Sequence, residues 1–207
     1  MGKKLSCDPY NLIIAGVGGQ GNVLASRVVG DMMIHQGYKV TIGETFGASQ
    51  RGGSVMSHLR ISARGGFSPQ MPKGKAHMVV ALEPMEAIRV LATYGNPKVK
   101  ALCNTRPIQS VGVICGDQIY PEKKHIIQWI ESLCANAGFF DTTKQALDLG
   151  DPIFGNIMAV GALAATGDLP MPLNIFETVI SKKIVPARIL TNLKAFGIGM
   201  ELIKDKK

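Results

Sequence analysis

Asn11-Leu-Ile-Ile-Ala15 runs without a break into Gly16-Val17-Gly18-Gly19-Gln20-Gly21, and the residues from Asn22 to Gln36 follow with helical spacing. The apolar run reads as a buried strand. The glycines permit a tight turn at its end. Val28 and Met32 fall on one helical face and Arg27 on another, while Gly37 suits the left-handed position that closes a helix. Tyr38 to Ile42 reads as a second strand. Strand, glycine turn, helix and strand together open a βαβ unit.

Outward from this opening, Gly43 to Gly53 reads as a polar, glycine-rich loop. Val55 to Ile61 alternates, with Met56, His58 and Arg60 on one face, which predicts a half-exposed strand, antiparallel or at an edge. Residues 62–75 read as loop and Met78 to Leu82 as a buried strand. Pro84 suits the first turn of a helix ending near Tyr94. Val99 to Cys103 and Gln109 to Ile114 are further strand candidates. A helix is expected from Pro121 to Asn136, stopped by Gly138, with a short strand at Phe139 to Asp141. Helices then follow at Thr143–Leu149, Pro152–Ala165, Asn174–Lys182 and Pro186–Ile203. The pattern predicts an α/β fold: three layers (αβα), a mostly parallel sheet with a Rossmann-like opening βαβ, and a helix-rich C-terminal part. No linker or repeat interrupts it, so residues 1–207 are expected to form one domain.

Composition narrows the function. With 46% hydrophobic residues among 207, the chain is not expected to be disordered. No stretch approaches the roughly 20 apolar residues a membrane span needs, and Met1-Gly2-Lys3-Lys4 lacks a signal-peptide core. A cytoplasmic protein without membrane contact is expected. Cys7, Cys103, Cys115 and Cys134 form no CxxC or CxxxC pair. They read as reduced thiols, mostly buried, with neither an iron–sulfur cluster nor structural zinc in this chain. Of the net charge of +8, the window from Lys39 to Arg106 carries +7. Such a field attracts anions. Aromatic residues are only 6% and do not alternate with the basic ones, which argues against nucleic acid as the partner.

Gly16, Gly18 and Gly21 match GxGxxG, with Gly19 and Gln20 completing the turn. A helix N-terminus behind such a turn offers free N–H groups to a phosphate. Glu44 falls 23 residues after Gly21, near where a ribose-binding acid would lie. Three readings stay open: an anion site, glycines that merely allow strand and helix to pack closely, and a nicotinamide or flavin site. The last has no accompanying hydride-transfer residues. His58 is expected at an exposed surface or interface, His35 at a helix end, and Ser49 and Ser54 as turn or cap residues.

The glycine turn, together with Glu44-Thr-Phe-Gly-Ala-Ser-Gln-Arg-Gly-Gly-Ser-Val-Met-Ser-His-Leu-Arg60, resembles the gamma-type subunit of 2-oxoacid:ferredoxin oxidoreductases, in particular the small subunit of the indolepyruvate branch. Ala81-Leu-Glu-Pro-Met-Glu-Ala87, Asn104-Thr-Arg-Pro107, Gly155-Asn156 and Asn192-Leu-Lys-Ala-Phe196 extend the likeness over roughly residues 10–200. The resemblance implies a heteromeric enzyme that oxidatively decarboxylates a 2-oxoacid to an acyl-CoA and passes electrons to ferredoxin. Thiamine diphosphate, magnesium and iron–sulfur clusters would belong to larger partner subunits. Gly116-Asp117 is followed by Gln118 and does not make a thiamine diphosphate signature. Within the resemblance, Gln50, Arg51, Gly52 and Gly53 form a second candidate loop. Arg51 there could hold CoA phosphates or a substrate carboxylate, pair with an acid across a subunit interface, or pair with Glu44. Arg106, just after a strand, could face the same crevice or serve a turn. The alternative is a free-standing nucleotide-binding protein of Rossmann-like fold.

Overall fold

A computed structural model describes residues 5–47 and 52–204. Six strands form one sheet in the order β2-β3-β1-β4-β5-β6. They are β1 (Tyr10–Val17), β2 (Lys39–Phe46), β3 (Ser54–Ser62), β4 (Met78–Ala81), β5 (Lys100–Asn104) and β6 (Asn136–Phe140). The ladders β1–β4, β4–β5 and β5–β6 are parallel, whereas β3 pairs antiparallel with both β1 and β2. Only β3 runs against the rest, so the sheet is mostly parallel, as the alternation of strands and helices predicts.

The described residues form eight helices: α1 (Asn22–His35), α2 (Pro84–Tyr94), α3 (Val111–Ile114), α4 (Lys123–Ser132), α5 (Thr143–Asp148), α6 (Gly155–Thr166), α7 (Leu173–Ile180) and α8 (Ile189–Lys204). The side chains of β1 divide the core. Leu12 and Ile14 join the cluster under α1, α6, α7 and α8, and Ile13 and Ala15 join the one under α2 and α4. Burial on both faces explains why β1 is a continuous apolar run. In the helix-rich C-terminal part α6 packs against α8, and α7 meets α8 where Phe176 stacks on Phe196 at 4.2 Å.

Several expectations are corrected. The loop expected at Gly43–Gly53 is shorter, because β2 continues to Phe46 in register with Val55. β3 is antiparallel, as expected, but it is neither at an edge nor half-exposed. It lies inside the sheet, and His58 is only 1% exposed, edge-on to the Tyr94 ring of α2. Polar residues on a strand mimic an exposed face even when a helix covers them. Gln109–Ile114 forms no strand: Ser110 caps the short α3 instead. Helix α4 ends at Ser132, and Gly138 lies within β6, where a Cβ would meet the Leu102 side chain at 2.8 Å. Of the cysteines only Cys103 is buried, while Cys7 and Cys115 are exposed.

Candidate functional site

The glycine turn stands at the carboxyl end of β1. Its residues do different jobs. Gly19 has φ +106° and Gly21 φ +80°, conformations that side chains resist. A Cβ on Gly16 would meet the Gln20 and Asn22 side chains, at 2.6 and 2.7 Å. One on Gly21 would overlap the Asn156 amide. Gln20 folds back as a clasp: its Oε1 accepts from Val17 N at 2.7 Å and its Nε2 donates to Leu82 O at 2.8 Å. Close packing therefore accounts for Gly16, Gln20 and Gly21.

The two loops read from the sequence do come together. Gly18 N donates to Gly53 O at 2.8 Å, and Gly52 N to Gly18 O at 3.3 Å. Gln50 and Arg51 lie outside the described residues. Ser54, next in the chain, donates to the Glu86 carboxylate at 2.8 Å, and Arg89 contacts both, so the hairpin is tied to α2. Glu44 sits on the edge strand, with Arg27 of α1 at 3.7 Å.

Beside the turn lies a crevice of about 350 Å³ at the carboxyl ends of the parallel strands. Gly18, Gly19, Arg106, Thr142, Thr143 and Asn156 are among its lining. This is where open α/β sheets bind ligands. Asn104 spans its floor: its Nδ2 donates to Leu82 O at 3.3 Å, and its Oδ1 accepts from Thr142 N at 3.4 Å. Arg106 is exposed on the rim, and Asp141 is held below its usual range by the Thr143 hydrogen bonds, against a desolvation effect, with Lys123 and Arg106 adding to it. The N–H groups of Gly18, Gln20, Thr142 and Thr143 are bonded within the protein, so what the lining offers an anion is the Gly19 backbone, the threonine hydroxyls, the Asn156 amide and the Arg106 guanidinium. Thr142 and Thr143 are site residues that sequence reasoning missed. They follow a strand too short and glycine-interrupted to mark its own end.

Glu83 is a second residue with no advance signal beyond its place before Pro84. It is 1% exposed, and burial raises its carboxyl pKa, opposed by the hydrogen bonds it accepts. Tyr120 Oη donates to it at 2.5 Å, and Glu86 N, in the first turn of α2, at 3.0 Å.

Comparison with known proteins bears on this geometry. The model of the pyruvate ferredoxin/flavodoxin oxidoreductase family matches residues 11–202. The chain belongs to that family. Indolepyruvate oxidoreductase subunit IorB of Pyrococcus horikoshii is 35% identical over 198 residues, covering 95% of this chain and 96% of the relative. Pyruvate oxidoreductase subunit PORC of Thermotoga maritima shares the fold with TM-score 0.70 at 20% identity, covering 94% and 97%. The 2-oxoglutarate:ferredoxin oxidoreductase of Magnetococcus marinus, solved with 2-oxoglutarate, coenzyme A and succinyl-CoA, gives 0.73 at 17% identity. That match covers 98% of this chain but 32% of the other. The chain is thus a gamma-type subunit of a 2-oxoacid:ferredoxin oxidoreductase complex. Within the family likeness, Leu82, Asn104, Arg106 and Asn156 come from three separate motifs and converge on one crevice. The Asn192–Phe196 motif does not, since Phe196 is core.

No three His, Cys, Asp or Glu side chains converge as a metal site among the described residues. Cys103 lies on β5, and Cys7, Cys115 and Cys134 lie outside the helices and strands. No described helix is long and apolar enough to cross a membrane.

Proposed function

We propose that this gamma-type domain, extending over residues 1–207, serves an enzyme that oxidatively decarboxylates an aryl 2-oxoacid such as indolepyruvate, forming the acyl-CoA and passing electrons to ferredoxin. Thiamine diphosphate, magnesium and the clusters reside in larger companion subunits in the cytoplasm, and this chain holds none of its own. Its contribution is a scaffold with an anion-holding rim on the CoA side. The indolepyruvate assignment rests on the 35% identity to the Pyrococcus horikoshii subunit.

The observation that carries the CoA-side role is the crevice between the glycine turn and Arg106. Gly19 supplies backbone, and Arg106 a guanidinium able to grip a phosphate with two N–H groups. Gln50 and Arg51 belong to the loop that Gly52 and Gly53 fasten to the turn, and we assign them to the same rim or to its contact with a companion. Coenzyme A in the Magnetococcus marinus protein supports the choice of anion. Dinucleotide binding is less well supported, because Glu44 is taken up by Arg27.

The test is a reconstituted complex assayed over a panel of 2-oxoacids with CoA varied. Indolepyruvate should give the highest kcat/KM, and the isolated chain should show neither turnover nor cluster absorption. Turnover by this chain alone, or a brown preparation of it, overturns the reading.

A further inference from the structure

Between β5 and α4 the chain leaves the sheet. Pro107 to Tyr120 includes the short α3 and carries one charged residue, Asp117. Its apolar side chains face outward: Val111 is 75% exposed, Ile114 70% and Ile119 93%. No residue of α3 is buried. The excursion nevertheless has a built shape. Ile114 N bonds to Ser110 O at 3.0 Å, and Asp117 N and Gln118 N both reach Gly112 O, at 2.8 and 3.0 Å. Gly116, with φ +84°, reverses the chain.

Both ends of the excursion meet at one buried atom. Glu83 Oε1 accepts from Ile108 N at 3.4 Å and from Tyr120 Oη at 2.5 Å. The same carboxylate caps α2 through its other oxygen. A closed loop with its ends pinned to the core resembles an Ω-loop, a form often used for function. Exposed apolar side chains on a preformed support mark an interaction site.

We propose that Pro107–Tyr120 is a docking knob for a companion subunit of this chain's own enzyme, held in its binding shape by the Glu83 clasp. The occupant follows from two facts. The chain is a subunit of a multi-subunit oxidoreductase. In the Magnetococcus marinus enzyme the same fold makes up only a third of a longer chain, so most of that chain lies outside it. What a fused chain supplies covalently, a separate subunit must supply by contact. The near absence of charge on the knob calls for an apolar recess in the companion, not a basic or acidic face. The proposal depends on the complex reading, not on the identity of the 2-oxoacid or on CoA binding.

The experiment co-expresses the chain with its larger companion and compares wild type, I119D, the double variant V111D/I114D, and Y120F. I119D and V111D/I114D change exposed positions, so each isolated chain should keep the wild-type circular dichroism and melting point. Each should bind the companion at least about tenfold more weakly, as expected when charge enters the centre of an apolar interface. Y120F removes only the clasp hydrogen bond. It should speed amide hydrogen exchange across residues 108–119 and weaken the complex less than I119D does. Wild-type affinity in both Asp variants overturns the knob while leaving the complex standing. A wild-type chain that never binds the companion overturns both. A concentration-dependent dimer of the isolated chain, abolished by I119D, would assign the knob to a second copy and overturn the choice of companion.

Discussion

At Gly21 two separate constraints meet. Its φ of +80° disfavours any side chain, and a Cβ there would overlap the Asn156 amide that donates to Gly21 O at 3.4 Å. Gly21→Ala should lower stability by about 2 kcal/mol or more, the sum of left-handed strain and a steric shift. Gly19→Ala, where nothing lies within 4 Å, should cost only the strain, about 1 kcal/mol. Urea midpoints of the two variants separate the effects, and equal losses would refute the packing role given to Gly21. His58 is the other residue whose surroundings dictate its behaviour. Neither ring nitrogen has a hydrogen-bond partner, and burial lowers its pKa below the ordinary 6.5. The neutral ring is then favoured by folding. The unfolded chain binds more protons as pH falls below about 6.5, so stability is complete above that value and declines beneath it. His77 is lowered for the same reason and should add to the decline. H58L should therefore shrink, without abolishing, the drop in urea midpoint between about pH 7.5 and pH 5.5. An unchanged drop would show that His58 is not kept neutral.

Helices α6 and α8 cross where glycines remove the side chains. A Cβ on Gly161 would stand 2.1 Å from Phe196 O, and one on Gly199 1.9 Å from Met158 O. Elsewhere in a helix, glycine to alanine stabilises by about 1 kcal/mol. Here the sign should reverse: Gly199→Ala should lower the melting temperature, because backbone, not a movable side chain, occupies the space. A rise in Tm would mean the helices can part without loss. Such contacts explain what the sequence could disclose at this scale. β1, α1 and α2 were legible because local rules and tertiary packing agree there: an apolar run buried on two faces, a glycine closing α1, a proline opening α2. β3 was misjudged for the opposite reason. Its period of two was real, but His58 and Ser57 are buried by elements distant in sequence. Gln109–Ile114 failed likewise, since its apolar residues face outward and the periodicity of a core strand was read into an exposed excursion. The pairing of Gly18 with Gly52 and Gly53 could not be read from spacing, although each loop stood out alone.

Over the whole molecule, strand direction sorts the charges. Lys39, Arg60, Arg64, Lys75 and Lys100 fall at the end of the sheet where the parallel strands begin, some tied to nearby groups: Arg64 faces Asp8 at 3.5 Å and Lys100 binds Asp168 at 2.8 Å. Arg106 is carried to the opposite end, into the crevice beside the glycine turn. The basic window of the sequence is therefore not one patch, and its sum of +7 overstates the field at either end. For the crevice, one guanidinium must do most of the charge recognition contributed by the described residues. Arg106 is exposed, and its attraction for the exposed Asp141 is screened by solvent, so R106A should change the melting point of the chain little. In the assembled enzyme it should raise the KM for CoA by about tenfold or more, the loss expected for one charge-assisted phosphate contact. The KM for the 2-oxoacid should move little if, as proposed above, its decarboxylation belongs to the companion subunits. The KM for CoA is the deciding quantity. If it stays at the wild-type value while the complex dissociates more readily, Arg106 serves the subunit contact, and the anion-holding rim must be sought at Arg51 or abandoned.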